Sequence, residues 1–259
     1  MFYKFVGGED DAALLDVMDK VLAGSIKFTS AAHFNDPFEF KFDAVAPTRE
    51  AFDAWHREHD PARSPDELEN AWKSSSGPAA DWNTSYAPRA NILRGLFVLC
   101  LTEKWDSHLM WAHYASSHRG FAVTYATGVV EALERLPEFE GKGHVAYRTQ
   151  PPPLRWFQDA PEDMLGPILF SKSGAWSYEE EFRVILSGDP ETAIFKTVDP
   201  NLVTGVVLGP RSPASLIAKA LAARKARPDL TVQQITAGPG YAMALVEVDD
   251  GVRRAGHIL

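Results

Sequence analysis

The stretch SGAWSYEEEFRVIL, residues 173–186, decides the fold and raises the question of function. Its apolar end predicts a β-strand, in which successive side chains point to opposite faces of the sheet. In that strand Glu179, Glu181 and Arg183 would share one face. The alternate positions are apolar and would face the core. Two carboxylates and a guanidinium on one face indicate either a solvated face of the sheet or a binding or catalytic site.

The composition is that of a globular protein with an acidic surface. Of the 259 residues 45% are hydrophobic, and 35 acidic against 26 basic residues give a net charge of −9, which disfavours tight nonspecific binding of nucleic acid. No apolar run is long enough to span a membrane, and the N-terminus does not resemble a signal peptide. The single cysteine, Cys100, excludes an intramolecular disulfide and a Cys-rich zinc site. We therefore expect a cytoplasmic protein without a membrane partner.

Strand and helix patterns alternate along the chain without a regular β–α–β order. MFYKFV (1–6) and RGLFVLCLTE (94–103) are typical of strands. The second is followed by a helix pattern that begins near Asp106 or Ser107 and stops at Gly120. This mixture predicts an α+β fold rather than a doubly wound sheet.

We expect one α+β domain over residues 1–259. Residues 46–91 are the most polar and loosely patterned part of the chain, with only fragments of helix pattern. They are interpreted as an insertion or lid within that domain.

Two clusters near the N-terminus carry candidate site residues. FYKF contributes Tyr3 and Lys4, although a half-buried tyrosine beside an exposed lysine is the interpretation that the sequence alone favours. HFNDPFEF contributes Asn35, Asp36 and Glu39. Asn-Asp-Pro is typical of a turn, but a turn does not explain an acidic residue at position 39 among four phenylalanines.

A third cluster lies in SHLMWAHYASSHRG. At helical spacing Trp111, Tyr114 and His118 share one face, and His113 lies beside it. An aromatic stripe is also typical of a core, and a histidine there can be a buried residue with a polar partner. The Thr102 hydroxyl, at the end of the preceding strand, could face the same space.

The fourth cluster is the opening stretch, where Trp176 and Tyr178 lead to Glu179 and Glu181. Paired carboxylates suit reactions that pass through an oxocarbenium-like state. One carboxylate can stabilise a sugar cation, and the other can take the proton of the incoming nucleophile. Aromatic side chains of the other clusters could pack against a flat, cationic leaving base.

The chain carries, in order, the motifs FYKF, FTSAAHFNDPFEF, LCLTE, LMWAHYASSHRGFAV, HVAY and SKSGAWSYEEEFRVIL. These motifs resemble those of a bacterial domain-of-unknown-function family, numbered 2971, over about residues 2–190. One position departs from the family pattern. Its Cys-Phe-Ser strand end is Cys100-Leu101-Thr102 here, which keeps a hydroxyl.

The layout is also similar to that of ADP-ribosyltransferases. These enzymes carry a polar residue on an early strand, a strand-end Ser or Thr followed by an aromatic helix, and a late catalytic glutamate, often in Glu-x-Glu. The resemblance implies two small curved sheets flanked by helices. It further implies NAD as substrate, with no metal, and transfer of ADP-ribose to a protein or nucleic-acid acceptor.

The same resemblance assigns roles to individual residues. Glu181 matches the catalytic glutamate and Glu179 the first acid of Glu-x-Glu. The side chains implied to contact NAD are Tyr3, Lys4, Thr102, Trp111, His113, Tyr114 and Arg183. Those expected to organise the pocket wall are Asn35, Asp36, Glu39, Trp176 and Tyr178. Lys4 departs from the family, which has histidine or arginine at that position.

Two other functions are compatible with these residues. A metal-dependent hydrolase or nuclease could use the carboxylates and His113 as ligands, although no ligand spacing such as His-Glu-x-x-His supports it. A non-enzymatic nucleotide-sensing or interaction module of a bacterial defence or toxin system would instead hold the carboxylates in a structural ion-pair network.

Overall fold

The computed structural model describes residues 1–76, 93–155, 157–158 and 161–248, which fall into two compact units. The first unit is built from Met1–Ser30, Gly95–His144 and Tyr178–Leu259, and the second from Ala31–Arg94 and Val145–Ser177. The predicted insertion, residues 46–91, falls in the second unit together with a later chain segment, and its residues 77–91 lie outside the described residues. The single-domain assignment stays a prediction.

The described strands and helices confirm a mixed α/β architecture. The strands are β1 (Phe2–Val6), β2 (Ser25–Ser30), β3 (Asp43–Val45), β4 (Leu96–Thr102), β5 (Phe121–Tyr125), β6 (Phe139–His144), β7 (Ala146–Arg148), β8 (Pro153–Arg155), β9 (Ser171–Ser173), β10 (Glu181–Ser187), β11 (Ala193–Thr197), β12 (Val203–Leu208), β13 (Thr231–Ala237) and β14 (Met243–Glu247). The α-helices are α1 (Asp11–Leu22), α2 (Arg49–His59), α3 (Pro65–Ser76), α4 (His108–Tyr114), α5 (Gly128–Glu134), α6 (Pro161–Leu169) and α7 (Ala214–Ala226). Short 3₁₀ helices cover Ala31–His33, Gly174–Glu179 and Pro200–Leu202.

Ten strands of the first unit form one mixed sheet that branches at β4. One edge of β4 pairs with β10, which in turn pairs with β6. The other edge pairs with β2 near Val98 and with β1 at Thr102. β11 follows β2, whereas β5, β12, β13 and β14 follow β1. The unit therefore has one large branched sheet where two small sheets were expected.

The core of the first unit forms where the apolar faces of strands and helices meet. Val184 and Leu186 alternate along β10 and join Leu99 of β4 in one buried cluster, as the pattern predicts. Leu14 and Met18, one helical turn apart on α1, pack into the same cluster. Burying each such side chain stabilises the fold by about 1.5–3 kcal/mol.

The helix after β4 begins at a predicted N-cap, Ser107, but α4 ends at Tyr114. The residues at 116–118 have φ angles of 47°, 54° and 71°, so a left-handed turn replaces the predicted last turn of the helix. Such a conformation costs about 1–2 kcal/mol per non-glycine residue. The Ser116 hydroxyl offsets part of that cost, because it accepts from the Gly8 amide and donates to the Gly8 carbonyl, both at 2.8 Å.

The second unit contains α2, α3, α6 and two parallel two-stranded ribbons, β3–β8 and β7–β9. Its centre is aromatic: the buried Phe52 ring meets Trp72 and Phe157 edge-on, with ring centroids 5.3 Å and 5.1 Å away. Part of the stretch 46–91 is thus helical, as its pattern predicts. Among the described helices of the whole chain, none is long and apolar enough to cross a membrane.

Candidate functional site

Three predicted site residues form one row across three neighbouring strands of the first unit. Tyr3 on β1 is the direct partner of Thr102 on β4, and Thr102 is in turn the partner of Glu181 on β10. Direct antiparallel partners have Cβ atoms about 4.5–5.5 Å apart and share a face of the sheet. The fold therefore brings together positions that are far apart in the sequence.

Glu181 and Arg183 form a buried, bidentate ion pair. Arg183 Nε donates to Glu181 Oε1 at 2.8 Å, and Arg183 Nη2 donates to Glu181 Oε2 at 2.9 Å. The two side chains are 4% and 0% exposed, respectively. This parallel geometry is the strong form of a charge-assisted contact. The prediction that these two residues share a face is confirmed.

Two further ionisable groups surround the pair. Cys100 is the β4 partner of Arg183. Burial and the nearby Glu181 carboxylate raise the pKa of its thiol well above the usual value, so the thiol stays protonated and is a poor nucleophile. Burial, with the like charge of Lys27, lowers the pKa of the Lys4 amine, against the opposing effects of Cys100 and Glu181.

Glu179 does not lie in the strand, so the prediction of one alternating strand through all three glutamates is wrong. It ends the 3₁₀ helix Gly174–Glu179, and β10 begins at Glu181. Glu180 between them has a φ of 42°, which turns the backbone and breaks the alternation. As a result Glu179 and Glu181 are both buried, whereas Glu180 is exposed, 3.9 Å from Lys104 Nζ.

The end of α4 contacts the chain just before β10 through two side-chain hydrogen bonds. The Tyr114 hydroxyl donates to Glu179 Oε1 at 2.6 Å. His113 Nδ1 lies 2.9 Å from the Tyr178 hydroxyl. A phenol that donates to a carboxylate at this distance makes a short, strong hydrogen bond, which fixes the direction of the acid. The structure thus joins four predicted site residues in two contacts.

Trp111 has the environment of a core residue. Its ring is 0% exposed, its indole N–H donates to the Trp105 carbonyl at 2.6 Å, and it meets Phe5 edge-on at 5.0 Å. At Trp111 the aromatic stripe is therefore part of the core, which is the alternative to a cofactor contact. So placed, the ring offers no exposed surface to a cofactor.

Four of the predicted pocket-organising residues belong to the second unit: Asn35, Asp36, Glu39 and Trp176. Asp36 confirms the predicted turn, because its carboxylate accepts from the Phe38 amide at 2.8 Å. Glu39, 1% exposed, lies 3.2 Å from Lys172 Nζ, and that amine is 5.0 Å from the centre of the Trp176 ring. A buried ion pair therefore explains the acid inside its aromatic frame.

Sequence reasoning missed Cys100 as a member of these clusters, and it did not predict that Lys172, which precedes Trp176 and Tyr178 in the fourth cluster, pairs with Glu39. Cys100 lies two residues before Thr102 on β4, so strand alternation could have placed both on one face. The pairing of Lys172 with Glu39 joins distant segments, and no local pattern indicates it.

The described residues offer two further facts about possible ligands. No group of three or more His, Cys, Asp or Glu side chains among them is placed to hold a metal ion. A cavity of about 310 Å³ lies at the start of α1, where Asp11 and Arg119 form a 2.6 Å ion pair, and none of the predicted site residues lines it.

Comparison with family models finds a match over residues 110–184, or 75 of the 259 residues. That family is described as Protein of unknown function (DUF2971). The DUF2971 match supports the predicted resemblance to this family, and it includes Glu179, Glu181 and Arg183. Comparison with curated proteins and with solved structures gives no match. The resemblance to ADP-ribosyltransferases stays a prediction.

Proposed function

We propose that this protein cleaves the nicotinamide–ribose bond of NAD and transfers the ADP-ribosyl group to a protein or nucleic-acid acceptor. The observation that carries the proposal is the row of Tyr3, Thr102 and Glu181 on adjacent strands. The pattern of ADP-ribosyltransferases combines an early-strand polar residue, a strand-end hydroxyl and a late glutamate. These groups can act on one NAD molecule only if the three strands are neighbours, as β1, β4 and β10 are here.

Glu181 would stabilise the charge that develops when the bond breaks. The electron pair of the C1′–N bond leaves with nicotinamide, and positive charge develops on the ribose C1′ and ring oxygen. A fixed carboxylate in a site that excludes water stabilises such charge far better than one in bulk solvent. Arg183 holds the carboxylate in one orientation, and a carboxylate oxygen that accepts one hydrogen bond can also accept from a ribose hydroxyl.

Glu179 would take the proton of the acceptor as its new bond to C1′ forms. The hydrogen bond from Tyr114 fixes the carboxylate and moderates its basicity, since a donor stabilises the charged form. His113 and Tyr178, hydrogen-bonded to each other beside this pair, would form part of the wall where nicotinamide leaves. Lys4 would contribute positive charge toward the NAD phosphates.

A second candidate is a nucleotide-sensing or interaction module without catalysis. The observation that favours it is the mutual pairing of Glu181 and Arg183, both buried. Such a pair can be wholly structural. In that case the protein would bind a nucleotide, or a macromolecule, and leave the nicotinamide–ribose bond intact.

The experiment that separates these candidates is nicotinamide release from NAD by purified, metal-free protein. We expect release by the wild type, with and without a protein and RNA mixture as acceptor. The variant Glu179→Gln keeps the size of the side chain and removes the base, so release should fall about 10²-fold. The matched control is Glu180→Gln, which changes the exposed neighbour and should stay within about twofold of wild type.

Two results would contradict the proposed function. Binding of NAD with no release, under either acceptor condition, would select the sensing module. An equal loss of nicotinamide release in Glu179→Gln and Glu180→Gln would show that overall charge, rather than the buried carboxylate, governs the rate.

A further inference from the structure

The buried Glu179 carboxylate is held from the end of α4. Tyr114, the last residue of that helix, donates to Glu179 Oε1 at 2.6 Å, and its neighbour His113 lies 2.9 Å from the Tyr178 hydroxyl. Two adjacent residues of α4 thus contact two adjacent residues of the chain before β10. A displacement of the helix end therefore moves both contacts together, because neighbouring residues of a helix share one rigid backbone.

The end of α4 is in turn fixed on the two glycines that follow β1. The Ser116 hydroxyl accepts from the Gly8 amide and donates to the Gly8 carbonyl, both at 2.8 Å. Gly7 approaches the helix end so closely that a methyl group on its Cα would lie 2.7 Å from Ser116 Oγ and 3.1 Å from the Tyr114 carbonyl oxygen. Non-bonded carbon atoms pack best at about 3.5–4.0 Å, so any side chain at position 7 would push on the end of α4.

We propose that Gly7 and Ser116 are positioning residues for Glu179. They fix the end of α4, and α4 fixes the direction of the carboxylate through Tyr114. Their effect on the rate rests on the proposed function, in which Glu179 is the base, whereas the link from Gly7 to Glu179 is a property of the fold. A catalytic group must be held within about 0.5 Å of its productive position, so a small displacement of α4 is enough to slow the reaction.

The test compares Gly7→Ala with Gly8→Ala in nicotinamide release, with the protein and RNA mixture as acceptor. Neither glycine has a positive φ, so alanine is compatible with the backbone at both positions. A methyl group at Gly8 is the matched control, because it meets Leu14 of α1, at 3.1 Å, rather than α4. We expect kcat to fall about 5–10-fold in Gly7→Ala with the KM for NAD within about twofold, and both constants to stay within about twofold in Gly8→Ala.

Two further variants separate positioning from stability. In the Glu179→Gln background Gly7→Ala should cause no further loss of rate, because a positioning residue has no effect once the group that it positions is gone. Ser116→Gly removes the hydroxyl and also relieves the left-handed φ of 47° at that position, so kcat should fall while the urea midpoint stays that of the wild type. An additive loss in Gly7→Ala, Glu179→Gln, or equal losses in Gly7→Ala and Gly8→Ala, would overturn the proposal.

The link can also be measured without NAD, as the coupling between Tyr114→Phe and Glu179→Gln in urea unfolding. Because their hydrogen bond involves a charged group, the coupling should change the unfolding equilibrium constant at least about fivefold in the wild-type background and less than about twofold in the Gly7→Ala background. Equal coupling in the two backgrounds would contradict the proposal. The expected coupling without any nicotinamide release would support the link and count against the proposed function alone.

Discussion

Replacing Arg183 with methionine is expected to lower the free energy of unfolding by about 3–5 kcal/mol. Methionine fills part of the same volume, but it leaves Glu181 as a buried charge whose two oxygens have lost their guanidinium donors. The Arg183 side chain is 0% exposed, so water cannot replace it without disturbing the sheet. Urea unfolding followed by tryptophan fluorescence measures the change.

The double variant Glu181→Leu, Arg183→Met is the control for this result. Replacing both charges of a buried pair by apolar side chains is often neutral or stabilising, so the double variant should lie within about 1 kcal/mol of wild type. The difference in the free energy of unfolding between the single and double variants isolates the cost of leaving the Glu181 charge unpaired. A loss below about 1 kcal/mol in Arg183→Met would mean that Glu181 is solvated, and that the site lacks the fixed carboxylate on which the proposed reaction depends.

The largest expected effect on activity is that of Glu181→Gln, with nicotinamide release reduced about 10²–10³-fold. Glutamine has the size of glutamate but no negative charge, so it cannot stabilise the positive charge on ribose. The loss should be the same with and without an acceptor, because Glu181 acts on the ribose whichever nucleophile attacks. The loss of nicotinamide release in Glu179→Gln, in contrast, should depend on which nucleophile is present.

Stability and chemistry must be separated in this variant. The amide nitrogen of glutamine cannot accept a hydrogen bond, so Arg183 loses one of its two acceptors and the fold is weakened as well. Rates are therefore compared at a temperature where urea unfolding shows both proteins to be fully folded, with Glu180→Gln as the matched change at an exposed position. Retention of more than about a third of the wild-type rate by Glu181→Gln would exclude the assigned role.

Much of the first unit could be predicted from local patterns. Alternation correctly placed Val184 and Leu186 in the core and set Glu181 and Arg183 on the other face, because the period of a strand is fixed by its geometry. Ser107 was identified as a possible N-cap because its hydroxyl can accept from the first free amides of a helix.

Other features depend on information that no local pattern carries. Glu180 adopts a left-handed conformation without a glycine or asparagine to signal it, so the sequence does not show the break before β10 and predicts Glu179 in a strand. The branching of the sheet at β4 depends on which strands share an edge, and that is decided by contacts between distant segments. The sequence predicts Tyr3, Thr102 and Glu181 only as members of one set of site residues. Their alignment on three adjacent strands is visible only in the fold.

The most direct test of the central claim is calorimetric titration of the purified protein with NAD, beside the variant Thr102→Val. Valine has nearly the shape of threonine but lacks the hydroxyl in the middle of the row. We expect the wild type to bind with a Kd in the usual substrate range of about 1 μM to 1 mM, and Thr102→Val to bind about 3–10-fold more weakly, the effect of one lost hydrogen bond. No binding by the wild type at millimolar NAD, or equal affinity of the two proteins, would contradict the assignment of this row as an NAD site.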